Sequence, residues 1–363
     1  MAISIVTTTI HKPTLLEDYC QNAKKFGHQN LNFIIIGDKK TPPEVTPFCK
    51  NLQKRYGYEI LYYDVRSQLN FLKDFPELRD HLPFNSIQRR NIGLLKAYHL
   101  NSEVIITIDD DNLVTKDHDF IGYHSIVGRE EKFISLNSFS GWFNVCQMLE
   151  EEKNLPFYPR GFPLNRRWLK TKVKKEERKG KIVVNAGLWL DDPDIDALTR
   201  MNLPIKVKRE SKKYNKGICL DIGTWSPFNS QNTALYREII PAYFLSPYIG
   251  RYDDIWASYI VKRIADHLGQ YIHFGFPLVR QERNIHNLWD DFDKERFGME
   301  MSDEFVDRLK ELKLTCQSYK DCFLEIVEEL EENPLSLTNE TNASSMDNFI
   351  AGMKIWNNVF RTL

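Results

Sequence analysis

The feature that most constrains this chain is an alternation repeated four times in its first 108 residues. Strand-sized apolar runs trade places with amphipathic stripes. Ser4 to Thr9 is β-branched, and Leu15, Tyr19, Cys20 and Ala23 then form one helical stripe. Asn32 to Ile36 has the composition of a strand buried on both faces, followed by the stripe of Val45, Phe48, Cys49 and Leu52. Glu59 to Tyr63, Ile87 to Tyr98 and Val104 to Ile108 continue as strand, helix and strand. Such a pattern predicts an α/β protein with a mostly parallel central sheet, helices on both faces, and ligands bound outside the carboxyl ends of the strands. Thr14-Leu-Leu-Glu17 has capping-box spacing, which predicts a helix start there. The reading places one Rossmann-like domain over residues 1–300 and a C-terminal helical extension over 301–363. In the extension Met301 to Glu332 and Met346 to Phe360 are the predicted helices, joined by a Pro334 to Asn342 linker. That tail is a packing element or a means of homo-oligomer formation.

Composition narrows the function classes. The 363 residues are 42% apolar, and 49 basic against 50 acidic side chains leave a net charge of −1, so the chain collapses to a core and is not a broadly basic nucleic-acid binder. No run reaches the 18 or so apolar residues of a membrane span, and Met1 to Lys12 reads as a strand, not an export signal. Six scattered cysteines without a Cys-x-x-Cys pair disfavour zinc or disulfides and predict a cytoplasmic protein. The sequons at Asn339 and Asn342 then read as chance matches in the linker. Arg166 to Lys181 is crowded with lysine and arginine and is predicted to be a solvated loop or flap, with a nucleic-acid arm as the sharper alternative.

Chemistry concentrates where Val104-Ile-Ile-Thr-Ile runs into Asp109-Asp110-Asp111. On an extended chain Asp109 and Asp111 share one side and Asp110 takes the other. Converging carboxylates without a basic residue in the triplet call for a cation, and Mg²⁺ or Mn²⁺ suits oxygen ligands shared with a diphosphate. An ordinary solvated acidic turn is the competing reading. A calcium loop is excluded because Leu113 and Val114 occupy positions that need an oxygen ligand and glycine. An aspartyl-phosphate phosphohydrolase carries such a motif on its first strand, and here it closes about the fourth. Arg89 and Arg90 open the preceding helix and are candidates for uracil, ribose or phosphate, or simply for solvent. Asp253 and Asp254 open a helix marked by Ile255, Tyr259, Ile260 and Ile264, where the helix dipole favours an ionised general base or an N-cap.

The combination of Ile108-Asp-Asp-Asp111, Pro159-Arg-Gly-Phe-Pro163, Gly187-Leu-Trp-Leu190, Pro193-Asp-Ile-Asp196 and Ile249-Gly-Arg-Tyr-Asp-Asp-Ile-Trp256 resembles the reversibly glycosylated polypeptide and UDP-arabinopyranose mutase family. The resemblance implies a glycosyltransferase A-type fold, a UDP-sugar donor and a divalent metal. It further implies that Asp109 and Asp111 are metal ligands and Asp110 lies at the diphosphate, and that Thr9 and Asp38 belong to the uridine pocket with Arg89 and Arg90 nearby. Arg160 matches the arginine that the family can glycosylate on itself, and Arg167 a second arginine linked to mutase activity. Trp189, Asp194 and Asp196 are implied at the sugar, with two exposed turn acids as the alternative for the aspartates. The chain departs from the family after its last strand, where Val279-Arg-Gln-Glu-Arg-Asn-Ile-His286 leaves only His286 as a candidate third metal ligand, and in Arg166-Arg-Trp-Leu.

The expectation is a metal-dependent glycosyltransferase that moves a sugar from UDP to a hydroxyl- or amine-bearing acceptor, with Mn²⁺ or Mg²⁺ at the diphosphate and Asp254, then Asp253, as base. The alternatives are a UDP-arabinopyranose mutase-like isomerase with arginine self-glycosylation, and a non-catalytic nucleotide-sugar-binding subunit.

Overall fold

A computed structural model describes residues 1–282, 287–336 and 340–361. Strands β1 (Ile3–Thr8), β2 (Leu31–Ile36), β3 (Glu59–Tyr63) and β4 (Val104–Ile108) are the four apolar runs of the sequence. They pair in parallel in the order β3-β2-β1-β4. Helices α1 (Leu16–Lys25), α2 (Val45–Tyr56), α3 (Val65–Phe71), α4 (Pro76–His81) and α5 (Arg90–His99) connect them. Helix α5 lies so close to the sheet that a Cβ on Gly93 would come within 2.5 Å of Val6. The proposed capping box does not form: α1 begins at Leu16 without a side-chain cap, and Glu17 turns instead to Arg55 and to the hydroxyl of Tyr56 at 2.9 Å.

Beyond β4 the sheet becomes mixed. Strands β5 (Asn112–Val114), β6 (Glu130–Ser138), β7 (Leu149–Glu151), β8 (Val173–Asp191), β9 (Val207–Glu210), β10 (Ile218–Leu220), β11 (Asn232–Tyr236) and β12 (Tyr271–Gln281) extend it. The order is β3-β2-β1-β4-β11-β8-β6-β10-β12-β5, with β7 and β9 off the path. Strand β11 runs antiparallel to β4, bringing the segment before it to the carboxyl end of β4. The basic stretch is not a free flap: from Val173 it is the first half of β8, paired antiparallel with β6, with Lys174, Lys175 and Lys179 exposed on a solvated ribbon.

Short helices α6 (Phe120–His124) and α7 (Ala197–Asn202) lie in the connections, and α8 (Asp253–His267) precedes β12. Helix α9 (Leu288–Glu311) crosses residue 300, the limit read for the extension, and α10 (Tyr319–Glu332) follows after a break. Helix α11 (Glu340–Val359) begins earlier than the sequence suggested, so Asn342 is a helical, buried residue; Asn339 lies outside the described residues. Phe305 of α9 stacks on Trp256 of α8 with centroids 4.0 Å apart, and Phe349 of α11 meets the same indole edge-on. The indole N–H of Trp356 donates to the Ile240 carbonyl at 3.1 Å. Tail and sheet thus share one apolar core. No helix among the described residues is long and apolar enough to cross a membrane, and all six cysteines are free.

Candidate active site

The carboxyl ends of β1, β2 and β4 open into a cleft of about 570 Å³. Thr9 follows β1, Asp38 follows β2, and Asp109, Asp110 and Asp111 follow β4; all line it. The extended-chain geometry inferred for the triplet does not hold, because β4 ends at Ile108 and the acids sit in a turn closed by the Asn112 N–H on the Asp109 carbonyl. All three therefore reach the cleft. Asp110 accepts the Thr9 hydroxyl at 2.6 Å, and burial first, with Asp109 beside it, raises its pKa.

The countercharge absent from the triplet comes from α5. Arg90 is buried, its guanidinium ion-paired with Asp109, and it also donates to the Ile108 carbonyl at 3.3 Å and to the Ser230 hydroxyl at 2.6 Å. Burial, the largest single influence, opposes its charge, but Asp109 together with Asp254 and Tyr243 raises the pKa. Arg89 is likewise buried, stacked 4.2 Å over Phe84 and donating to Gln68 at 2.7 Å. Neither arginine is a solvent-facing helix residue. Asp38 accepts the backbone N–H groups of Lys39 and Ser86 at 2.7 and 3.1 Å, which shapes the wall beside Arg89.

At the other end, Arg160 enters from the Pro159 to Pro163 loop. Its Nε donates to both oxygens of Asp194 at 2.9 and 3.2 Å, and its Nη1 and Nη2 face the two oxygens of Asp254 at 3.1 and 3.3 Å. The Arg251 carbonyl also accepts from Nη1. Burial works against the guanidinium charge, yet Asp194 and Asp254 hold its pKa well above the usual value. Gly161 makes the approach possible. Its φ is +86°, and a Cβ there would lie 2.2 Å from Ile255 of α8. Asp254 additionally accepts from the Ser230 amide at 2.9 Å and hydroxyl at 3.1 Å. Asp253 accepts from Gln88 at 2.9 Å; burial first, then repulsion from Asp254, pushes its pKa up to about 7.

Three sequence-derived site residues lie elsewhere. Trp189 is buried in β8 beneath Arg160 and Asp194, lining a small separate cavity, so it is not an aromatic wall of the cleft. Asp196 is fully buried and caps α7 through the Thr199 N–H at 2.8 Å. Arg167 pairs with that aspartate at 2.6 Å and does not line the cleft. His286 lies outside the described residues. Conversely, His11, Asn85, Ser230, Gln231 and Gln281 line the cleft without having been singled out, as does Arg251, which is held by Glu295 at 3.0 Å and Asp291 at 3.4 Å.

Among the described residues no group of three or more His, Cys, Asp or Glu is poised to hold a metal ion. The chemistry of the lining nonetheless fits a hard cation brought in with an anionic ligand. Seven aspartates face four arginines in the cleft, an acidic excess that a diphosphate would otherwise meet as repulsion.

A Rossmann-like half-sheet carrying a charged cleft at its carboxyl end defines a protein of the α/β class with a mixed central sheet. The sequence model of the family described as reversibly glycosylated polypeptide matches residues 2–361, and the chain belongs to that family. A protein of Pisum sativum named probable UDP-arabinopyranose mutase 1 is 29% identical over 237 residues, covering 63% of this chain and 60% of its own. UDP-arabinopyranose mutase 3 of Arabidopsis thaliana is also 29% identical over 237 residues, covering 63% of this chain and 61% of its own. The chain thus spans about 60% of the length of the curated relatives it matches. Among solved structures, a mycobacterial protein aligns with TM-score 0.42 and 10% identity, over 84% of this chain and 75% of that one. Residues 1–349 of S. aureus TarS align with TM-score 0.38 and 8% identity, over 98% and 90%.

Proposed function

We propose that the cleft binds a UDP-sugar and that the protein interconverts its pyranose and furanose forms, with Arg160 as the transient sugar carrier. The names of the relatives favour this isomerase over the transferase that the sequence suggested first. The observation that carries it is the setting of Arg160, buried at the cleft with both Nη atoms against one carboxylate. A guanidinium is a poor nucleophile while charged, so attack requires a base already in contact, and Asp254 is that base.

In this scheme an Nη of Arg160 bonds to the anomeric carbon as the bond to the β-phosphate oxygen breaks, UDP leaving with the electron pair and the Nη proton passing to Asp254. The ring oxygen then takes that proton from Asp254 as the ring C–O bond opens, and the remaining Nη proton passes to Asp254 as the C=N linkage forms. The other hydroxyl adds to that carbon and loses its proton to Asp253, closing the smaller ring, while Asp254 returns its proton to Nη. Return of the β-phosphate oxygen to the anomeric carbon expels Arg160, which recovers its proton from Asp253. Bonds broken equal bonds formed, and neither water nor an oxidant is consumed. Asp109 and Asp111 are the residues that would hold Mg²⁺ or Mn²⁺, which supplies charge neutralisation on the leaving diphosphate.

Purified protein is incubated with UDP-arabinopyranose, with and without Mn²⁺, and the ring form and free UDP are read by chromatography. The furanose form is expected, with formation abolished in Arg160→Ala while UDP affinity stays within about threefold. Sustained release of UDP without a furanose product would return the reading to group transfer.

A further inference from the structure

Arg167 touches nothing in the cleft, yet it is one of the most committed side chains near it. Its Nη2 donates to Asp196 at 2.6 Å, Nη1 to the Thr199 hydroxyl at 3.3 Å and Nε to the Phe162 carbonyl at 3.3 Å, while the guanidinium lies 5.4 Å from the Tyr158 ring centre. Asp196 is fully buried and also caps α7. Two residues earlier the same turn presents Asp194, whose carbonyl accepts the Arg160 N–H at 2.9 Å and whose carboxylate takes Arg160 Nε. The loop carrying both arginines is therefore fastened to one short turn at two points, Arg160 to Asp194 at the cleft and Arg167 to Asp196 below it. Both aspartates are almost wholly enclosed, 2% and 0% exposed, so neither pair is softened by water and neither partner can leave without stranding a buried charge. Gly161, pressed on Ile255, leaves the loop little room to compensate.

We infer that Arg167 is a positioning residue for Arg160, acting through Asp196 and the turn that bears Asp194 and not by contact with the sugar. It fixes the distance between the loop and the turn, and so the direction in which the Arg160 guanidinium faces Asp254. The consequence for turnover rests on the proposed carrier role of Arg160; the consequence for Arg160 itself does not.

The test uses the full chain and two readouts. The first is labelling by phenylglyoxal, an arginine-selective dicarbonyl, quantified at Arg160 by peptide mass spectrometry. Arg167→Ala and Asp196→Asn are each expected to speed labelling of Arg160 by about tenfold or more, because either change loosens the same turn, while Arg167→Lys restores part of the protection. Asp196→Asn keeps an oxygen for the α7 cap and removes the charge, so it and Arg167→Lys carry the test should Arg167→Ala fail to fold. Unchanged labelling of Arg160 in the variants that fold overturns the inference. The second readout is turnover of UDP-arabinopyranose. The expected loss in kcat is on the order of 100-fold, with KM within about threefold and the double variant no worse than the worse single one. A directly catalytic Arg167 predicts instead that Arg167→Ala is inactive, Asp196→Asn nearly normal and the effects additive, which also overturns it. If the wild-type protein makes no furanose and no sugar adduct, the proposed activity fails, and the labelling comparison still decides the role of Arg167.

Discussion

Asp253 and Asp254 are consecutive, and the first turn of α8 sends their carboxylates to different partners. Asp254 meets Arg160 and Ser230, whereas Asp253 has Gln88 and a buried setting that pushes it up to about 7. An unfolded aspartate titrates near 3.9, so between about pH 4 and pH 7 the folded chain keeps a proton that the unfolded chain has released. The contribution of Asp253 to stability therefore falls as pH rises through that window. Asp253→Asn, which retains an acceptor for Gln88, should raise Tm by a few degrees at pH 8 and by less at pH 5 in calorimetry; equal shifts at both would contradict the assignment. At this scale the sequence was informative where a local pattern surrounds the side chain. Asp109 stands at the end of an apolar run, Arg160 between proline and glycine, and Asp253 and Asp254 at a helix start. Ser230, Gln231 and Gln281 carry no such mark. They are single polar residues brought to the cleft by strand order alone, and Trp189 shows the converse, a conspicuous residue that the pleat of β8 turns inward.

Among the elements, α6, β8, β11 and β12 are tied by a buried polar cluster. His124 pairs with Asn232 at 2.9 Å and with Asn185 at 3.3 Å, and His273 pairs with Asn185 at 2.8 Å. Burial, joined at His273 by repulsion from His124, pushes both imidazoles down to about 4. Their unfolded counterparts protonate near 6.5, so this contribution to stability is complete above that value and is lost as pH falls toward 4, at about 1.4 kcal/mol per histidine per pH unit. The rise from Asp253 over the same range offsets about one of the two histidine contributions, so urea midpoints compared at pH 7 and 4.5 should fall in the wild type and fall much less in His273→Gln. An unaltered slope in that variant would place the acid sensitivity elsewhere. The cluster also explains why β8 escaped a reading by composition. Its outer half is lysine-rich like a loop, and what makes the segment a strand is pairing with β6 and, further along, the anchoring of Asn185, both remote in sequence. The first four strands needed no such information, since each is mostly apolar or β-branched and pairs in one parallel layer.

Over the whole molecule the tail is continuous with the core of the Rossmann-like half-sheet. Phe305, Phe349 and Trp356 are buried against α8 and the Ile240 segment, and Arg251 in the cleft is held by Asp291 and Glu295 of α9. Heating should therefore give one calorimetric transition, and Phe305→Ala, which empties the stack on Trp256, should lower stability by about 3–5 kcal/mol without splitting that transition. Two resolved transitions would show a separable tail. The periodicity of residues 301–360 revealed helices but not their limits, because α9 runs back through Phe297 and Phe292 to Leu288, ahead of that stretch, and α11 opens on polar residues. The pairing of Arg90 with Asp109 has a last consequence. Since the two neutralise one another, association with the proposed UDP-sugar should require no coil-to-native ordering of these walls, and its heat capacity change should report little beyond the ligand surface withdrawn from water.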